Sequence, residues 1–321
     1  MTQDARQTPG TLAVLFNPTE EHVDNLLLLK RLCNDVVAVD NSPLPDLKLH
    51  VLLESLGIDV VVNSNRGGIA GAFNKGMERL IEKQCTLLFT FDQDSVVPED
   101  YFLKMIEASR KLGTPTFLLG PKIFDINVDR YIPLLVMNRF GVTLTQMTDE
   151  DRGLVPCSSM ISSGSVMSAE TYRVVGAFRE DYFIDQVDTE YCFRAFRKDV
   201  PVYINTALVM KHEIGKRVDR KIGFFNFIQW NYIPLRQYYS ARNCIHVSRL
   251  YGRSLPSALL INLITLGQFI SVIVYENNKL RKLGAMSAGV IDGLLGRYGS
   301  IEACQPLVSA LCTGRPRLKQ A

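Results

Sequence analysis

Residues 86–95 read TLLFTFDQDS, an apolar run that ends in a pair of aspartates. The first six residues have the composition and length of a buried β-strand. Asp92 and Asp94 follow that run directly and are separated by Gln93. Taken alone, aspartates after a strand are explained by their preference for turns. Their meaning therefore depends on the strands that surround this one.

Three more strand-like runs precede it and alternate with stretches of helical periodicity. These runs cover residues 11–17, 36–40 and 58–62. The alternation predicts an α/β fold with βαβ units and a mostly parallel sheet flanked by helices. Ligands of such sheets bind beyond the carboxyl ends of the strands, so the polar residues at those ends become candidates for a site. They are Asn17-Pro18, Asp40, Asn65 and Asp92-Gln93-Asp94.

The composition is that of a chain that can bury a sizeable core. Of its 321 residues, 47% are hydrophobic and 21% are charged, which excludes a wholly disordered chain. The net charge of +3 excludes a nucleic-acid binder that depends on bulk charge. Seven scattered cysteines without a CxxC pair exclude a disulfide scaffold and a zinc ribbon. Because the N-terminus also lacks the apolar core of a signal peptide, we expect a cytoplasmic protein.

Charge is distributed unevenly along the chain. Residues 1–199 carry 20 basic and 28 acidic side chains, a net charge of −8, whereas residues 200–321 carry 16 and 5, a net charge of +11. The front part is therefore expected to hold a cation, and the back third to face an anionic partner. We place a boundary near residue 220, between an α/β domain at 1–220 and a basic helical region at 221–321.

The helical region contains an uncharged run of 21 residues, LPSALLINLITLGQFISVIVY at 255–275. It is long enough to span a bilayer, but Asn262, Thr265, Gln268 and Ser271 interrupt it at intervals of three. With basic residues on both sides, we expect a helix that lies in the membrane interface. The alternatives are a membrane-spanning helix and a buried helix that packs on the α/β domain or on a second copy.

The candidate metal ligands follow the fourth strand. Carboxylate oxygens are ligands that Mg²⁺ and Mn²⁺ prefer, and the place of Asp92 and Asp94 at the ligand-binding edge of a parallel sheet predicts such a site. His212 offers an imidazole nitrogen that can complete the ligand set. A lone histidine is, however, more often a hydrogen-bonded surface residue.

Two further segments offer groups for binding an anion. NRGGIAGAFN at 65–74 opens a helix with small residues. These let the backbone near Gly68 approach a ligand, or they pack the helix tightly on the sheet. In YYSARN at 238–243 the aromatic residues suggest a buried helix, and Arg242 is expected to clamp a diphosphate through bidentate hydrogen bonds.

An acidic cluster enters a helix predicted at 185–197. Asp185 and Asp188 share one face of that helix, and a carboxylate held there can take a proton from an acceptor hydroxyl group. Glu190 is explained equally well by the helix dipole, because acidic residues begin this helix and basic residues end it.

In their order and spacing these segments resemble the family 2 inverting glycosyltransferases, especially bacterial rhamnosyltransferases of O-antigen and other surface polysaccharides. The resembling segments are Asn17-Pro18, Asp40-Asn41-Ser42, NRGGIAGAFNKG at 65–76, FDQDS at 91–95, SSGS at 162–165, FIDQVDTEYCFR at 183–194, HEIG at 212–215 and YYSARN at 238–243. The resemblance implies a nucleotide-diphospho-sugar transferase fold of the GT-A type. It implies Asp188 as the general base and a metal site at Asp92, Asp94 and His212. The implied donor contacts, with Asp40 at the nucleobase, are Asn17, Pro18, Asp40, Asn65, Gly68, Asp92, Gln93 and Arg242. The implied supporting or acceptor-side residues are Asp185, Glu190, Ser163 and Gly164.

The implied reaction moves L-rhamnose from dTDP-L-rhamnose to a hydroxyl group of a polyprenyl-diphosphate-linked or polysaccharide acceptor. It is a single displacement with Mg²⁺ or Mn²⁺, at the cytoplasmic face of the inner membrane, and homodimerisation is left open. The alternatives are a UDP- or GDP-linked donor, a sugar nucleotidylyltransferase and a non-catalytic scaffold. A nucleotidylyltransferase would show a Gly-rich basic loop after the first strand, where this chain reads Asn-Pro-Thr-Glu.

Overall fold

A computed structural model describes residues 7–215, 217–222 and 225–313. In it, the apolar runs of the first half form most of the parallel strands of a nine-stranded sheet. The strands are β1 (Pro9–Leu15), β2 (Asp35–Asp40), β3 (Asp59–Val62), β4 (Leu87–Asp92), β5 (Leu118–Asp125), β6 (Arg130–Tyr131), β7 (Leu134–Met137), β8 (Val142–Thr145), β9 (Leu154–Pro156), β10 (Ser165–Ser168), β11 (Val202–His212), β12 (Val218–Ile222) and β13 (Phe225–Gln229). The α-helices are α1 (Glu21–Leu32), α2 (Leu47–Ser55), α3 (Gly68–Glu82), α4 (Tyr101–Lys111), α5 (Ala169–Val175), α6 (Val187–Phe196), α7 (Pro234–Tyr251), α8 (Asn262–Val274), α9 (Lys279–Leu295), α10 (Ile301–Cys304) and α11 (Pro306–Thr313). Short 3-10 helices cover Glu180–Tyr182 and Pro256–Ile261.

The main sheet has the strand order β3-β2-β1-β4-β10-β5-β11-β9, with β6 beside β5. Strands β1 to β5 and β11 run in one direction, whereas β10, β9 and β6 are antiparallel to their neighbours. The mostly parallel sheet predicted from the sequence is therefore confirmed. Strands β7 and β8 form one separate hairpin, and β12 and β13 form another.

Alternating side chains of the strands reach two hydrophobic layers. On β1, Leu12 and Val14 join a cluster with residues of α3, α5, α6 and α7, whereas Ala13 and Leu15 join a cluster with residues of α1, α2 and α4. Helices thus cover both faces of the sheet, as the runs of consecutive apolar residues in its strands require. Because Val247 of α7 belongs to the first cluster, the C-terminal helical region packs directly on the sheet domain.

The strand register places the candidate acidic residues at one edge. Leu15 of β1 pairs with Asp40, and Val14, one residue earlier, pairs with Asp92. The two aspartates lie two strands apart, and neighbouring strands are separated by about 4.8 Å, so that their backbones are about 10 Å apart. Strand β11 is long because its register shifts between Asn205 and Val209 and pairing with β5 then continues. This continuation carries His212 to the same edge.

One described segment is long and apolar enough to cross a membrane, the helical stretch Pro256–Val274, with a mean hydropathy of 2.0 and 39% of its window buried. Its inward side packs on α7 through polar contacts, including a hydrogen bond from Ser240 Oγ to Gln268 Oε1 (3.2 Å) and one from Asn262 Nδ2 to Ser248 Oγ (2.6 Å). The polar residues that interrupt the run therefore face the protein.

Candidate active site

The end of β4 carries a cluster of three metal-ligand side chains. The ligand atoms of Asp92, Asp94 and His212 all lie within 4.8 Å of one another, and the distance from His212 Nε2 to Asp92 Oδ2 is 3.6 Å. Burial and the charge of Asp94 raise the pKa of Asp92, whereas His212 opposes the rise. Among the described residues, no Lys or Arg forms an ion pair with either carboxylate. Two oxygens and one imidazole nitrogen with unbalanced negative charge fit a divalent cation such as Mg²⁺ or Mn²⁺.

The loop before β10 supports this cluster from the neighbouring strand. The Ser163 hydroxyl lies 2.8 Å from the Ser95 hydroxyl and 3.4 Å from the backbone N of Asp92, which donates to it. Gly164 has a φ of +76°, and an added Cβ would lie 2.6 Å from Met210 Sδ. Ser163 and Gly164 are thus at the site, where they fix the backbone that presents Asp92.

Asp188 lies in the first turn of α6, beside the same loop. The backbone N of Thr189 donates to Asp188 Oδ1 (2.8 Å), and the backbone of Ser162 also hydrogen-bonds to this carboxylate. Burial, with a smaller contribution from the charge of Asp185, raises the pKa of Asp188 to about 6. Because Ser162 precedes the serine that contacts Asp92, the structure brings Asp188 and the metal-ligand cluster to one site. A carboxyl group with this pKa is suited to accept a proton near neutral pH.

The turn that leads into α6 is strained. Phe183, Asp185 and Gln186 all have positive φ values, of 66°, 61° and 61°, which costs about 1–3 kcal/mol for each such residue. Backbone outliers of this kind cluster at functional sites, where the surrounding structure holds them. We call residues 183–186 the strained turn. Its backbone strain lowers the stability of the fold, and the turn leads directly to Asp188 in α6.

Arg242 binds the backbone just before the strained turn, at residues 181 and 182, which corrects the expectation that it clamps a diphosphate. Its side chain is fully buried, and its guanidinium donates to the carbonyl oxygens of Asp181 (2.7 Å), Tyr182 (3.2 Å) and Gly299 (2.6 Å). The neighbouring Asn243 adds hydrogen bonds from Nδ2 to three carbonyl oxygens of this segment, all of 2.8–2.9 Å. Both residues position the backbone.

Arg236 is the charged residue of the site that sequence reasoning missed. Its guanidinium binds the carboxylate of Asp185 through three hydrogen bonds of 2.9–3.2 Å and lies 4.0 Å from the centroid of the Tyr232 ring. The same positive charge interacts with Asp188 and lowers the pKa of Asp92. Asp185 is thus occupied by an ion pair, and Arg236 faces both carboxylates at which chemistry is expected.

At the other end of the edge lie the residues expected at the nucleobase. Asp40 is fully buried, with Oδ1 accepting from the backbone N of Ser42 (2.8 Å) and Oδ2 lying 2.6 Å from His50 Nε2. Ser42 Oγ accepts from the backbone N of Asn17 (2.8 Å), which precedes the half-buried Pro18. Asn65 Oδ1 accepts from Asn41 Nδ2 (3.3 Å). These residues form one polar cluster, in which both oxygens of Asp40 are already engaged.

Three other predicted site residues make contacts with other parts of the protein. Gly68 has a φ of +62°, and an added Cβ would lie 2.0 Å from the carbonyl oxygen of Phe183, so that this glycine lets α3 touch the strained turn. Gln93 ties the ends of β1 and β4 together by accepting from the backbone N of Phe16 (2.8 Å). Glu190 is buried, pairs with Arg194 (2.9 Å) and accepts from the Tyr251 hydroxyl (2.8 Å). Both carboxylate oxygens of Glu190 are thus engaged by partners within the protein.

Comparison with known sequences agrees with this geometry. Residues 19–168, which include the β4 aspartates, match the family described as glycosyl transferase family 2. The chain is also 28% identical to dTDP-rhamnosyl transferase RfbF of Shigella flexneri over 291 residues, which are 89% of this chain and 95% of that protein.

Solved structures show the same fold. Two crystal structures of S. aureus TarS superpose with TM-scores of 0.53 and 0.52, at 12% and 10% identity; each covers 95% of this chain, and the matched parts are 52% and 87% of those chains. GalNAc-T7 with UDP, GalNAc and Mn²⁺ superposes with a TM-score of 0.51 at 11% identity, over 84% of this chain and 55% of that chain. This chain thus spans about half the length of the longer TarS structure and of GalNAc-T7. The expected GT-A type fold is confirmed, and the chain is a glycosyltransferase whose residues 19–168 are similar to glycosyl transferase family 2.

Proposed function

We propose that this chain transfers L-rhamnose from dTDP-L-rhamnose to a hydroxyl group of a lipid-linked or polysaccharide glycan, with inversion at the anomeric carbon. The observation that carries the proposal is Asp188, whose pKa is raised to about 6 beside the edge that holds Asp92 and Asp94. The donor is supported by the identity to a dTDP-rhamnosyl transferase over most of both chains.

The proposed reaction is one displacement. The acceptor oxygen bonds to the anomeric carbon while its proton passes to the Asp188 carboxylate, and a positioned base of this kind contributes about 10²–10⁴ in rate. The bond from the anomeric carbon to the diphosphate oxygen breaks, and the electron pair leaves with dTDP. Attack opposite to the leaving group inverts the configuration.

The leaving dTDP gains negative charge as this bond breaks. A Mg²⁺ or Mn²⁺ ion held by Asp92, Asp94 and His212 would supply positive charge for it. Arg236 contributes a fixed positive charge nearby and keeps Asp185 neutralised. Without this ion pair, the charge of Asp185 would disfavour the ionised base further, since like charges raise a carboxyl pKa.

The donor and the reaction class are tested together by product analysis. Purified protein is incubated with dTDP-rhamnose, a UDP-hexose or a GDP-hexose, a glycan acceptor and either Mg²⁺ or Mn²⁺. We expect dTDP release only from dTDP-rhamnose, and a product whose anomeric configuration, read by NMR, is opposite to that of the donor. Turnover of a UDP- or GDP-linked sugar alone would refute the donor, retention would refute the single displacement, and pyrophosphate release would indicate nucleotidyl transfer.

A further inference from the structure

Helix α8 and the 3-10 helix before it turn their apolar side away from the protein. The outward residues, called the outer face below, are Leu259, Leu260, Leu263, Leu266, Ile270, Ile273 and Val274, each between 39% and 60% exposed. The buried side carries Thr265, Gln268 and Ser271 instead. A helix on the surface of a water-soluble domain has the opposite arrangement. A contiguous apolar stripe of this size marks an interaction surface.

A second element from a distant part of the chain extends this stripe. Ser257, which is buried two residues before the outer face begins, donates from its backbone N to the Arg139 carbonyl oxygen (3.2 Å) and from Oγ to the Asn138 carbonyl oxygen (2.5 Å). These residues form the tip of the β7–β8 hairpin. The next residue, Phe140, is 75% exposed, and its ring lies 5.2 Å from the guanidinium of Arg139.

The exposed charged residues of the segment that contains the outer face are basic. Within residues 234–295, Arg249, Arg253, Lys279 and Arg281 are exposed, whereas both acidic residues, Glu276 and Asp292, are buried. Arg253 is exposed and follows Gly252, which lies close to Leu259 at one end of the stripe. A Cβ added to Gly252 would lie only 3.0 Å from the Leu259 side chain. Lys279 donates to the Ile273 carbonyl oxygen (2.7 Å) at the other end.

We propose that the outer face and the hairpin tip at Phe140 form one surface that lies on an anionic lipid bilayer, with the helix parallel to the membrane plane. Aliphatic side chains that enter the acyl boundary, with basic residues at the level of the headgroups, are the features of interfacial binding. A spanning orientation would break the polar contacts of Gln268 and Asn262 with α7. A symmetric pairing of two copies would bring like-charged borders together.

The surface lies on the side of the protein that carries the proposed base. Thr189, next to Asp188, is within 3.4 Å of the Ser159 hydroxyl, and Ser159 forms a β-bridge with Leu135 of β7. From Leu135, strand β7 leads to the hairpin tip at Phe140, five residues further along the chain. Under the function proposed above, this geometry suits an acceptor whose lipid anchor stays in the bilayer while its glycan reaches Asp188.

Vesicle binding of the full chain, without donor or acceptor, tests the surface independently of glycosyl transfer. We expect sedimentation with vesicles of phosphatidylglycerol and phosphatidylcholine, weaker sedimentation in high salt and little with phosphatidylcholine alone. Leu263→Ser combined with Leu266→Ser should lower the partition coefficient at least about tenfold, and Phe140→Ser should also lower it. The matched control is Leu103→Ser on α4, where an equally exposed leucine (60%) lies outside the proposed surface, and it should bind as the wild type does.

Light scattering of the same proteins identifies a competing partner. The proposal is overturned if the wild type does not sediment with anionic vesicles at low salt, or if the double variant sediments as well as the wild type. A wild-type dimer that the double variant converts to a monomer, with no change in vesicle binding, would assign the outer face to a second copy.

Discussion

Replacing Asp188 with asparagine should abolish transfer and at the same time stabilise the protein. Asparagine keeps the size of the side chain and its acceptor for the Thr189 N–H, but it cannot take the acceptor proton. We expect turnover to fall by about 10²–10⁴, with the affinity for dTDP unchanged. The wild-type kcat/KM should itself decline below about pH 6, where Asp188 becomes protonated.

The gain in stability follows from the raised pKa. A carboxyl pKa of about 6 against its ordinary 3.8 means that the folded state binds this proton more tightly than the unfolded state does. The charged group therefore lowers the free energy of unfolding above pH 6, by about 3 kcal/mol at most. Asn removes this cost, so its advantage should be largest near pH 7.5 and about half as large at pH 5. A gain of roughly 1–3 kcal/mol corresponds to a Tm higher by about 2–5 °C.

Calorimetric melting at pH 7.5 and pH 5, together with a dTDP-release assay, measures both effects. The matched control is Asp199→Asn, the same change at an exposed position just after α6, which should leave activity and Tm unchanged. Near-normal turnover of Asp188→Asn would show that another group accepts the proton. A lower Tm at pH 7.5 would show that the carboxylate is stabilised in the fold, which contradicts its raised pKa.

Three further changes separate the roles of neighbouring residues. Asp94→Asn should weaken dTDP binding in Mn²⁺ but not in EDTA, which calorimetry under both conditions measures; equal affinity in Mn²⁺ would remove Asp94 from the metal site. Arg236→Gln should free the charge of Asp185 and move the acidic limb of the kcat/KM profile to higher pH, and an unshifted profile would show that Arg236 does not act on Asp188. Arg242→Met should lower the free energy of unfolding by about 3 kcal/mol or more in urea, because several buried carbonyl groups lose their donor; a selective loss of dTDP affinity with unchanged stability would return Arg242 to the donor site.

The parts of the molecule that the sequence predicts well depend on local patterns. The first four strands and their intervening helices follow from runs of apolar residues and helical periodicity. Asp92 could be placed at the ligand-binding edge because the end of a parallel strand fixes its position. His212 could be offered as a third ligand from its side-chain chemistry, but its place at this edge depends on the register shift in β11, which leaves no local signal in the sequence.

The two arginines of α7 show what such patterns do not contain. Arg236 and Arg242 lie on one helix, and their sequence neighbours do not reveal which of them faces the site. The pairing of Arg236 with Asp185 spans 51 positions, and the contacts of Arg242 with residues 181 and 182, just before the strained turn, span 61 and 60. Which of the two arginines faces the site is decided by how α7 packs on the turn, and this packing is a long-range contact. The same holds for α8, where the spacing of polar residues predicts an amphipathic helix but not which side faces the protein.

Gly68 and Arg242, which the sequence analysis expected at the donor, contact the strained turn or the backbone just before it. The turn carries three non-glycine residues with positive φ and presents a carboxylate whose pKa is raised by burial, and both features lower stability. They persist because contacts from two directions hold the backbone. Gly68 admits α3 on one side, and on the other Asn243 of α7 binds carbonyl groups of the turn while Arg242 binds those of residues 181 and 182 just before it. Gly68 and Arg242 resemble ligand-binding groups in the sequence, but in the fold they hold the backbone that presents the proposed base. The carbonyl groups of a strained segment, like the oxygens of a diphosphate, need strong hydrogen-bond donors.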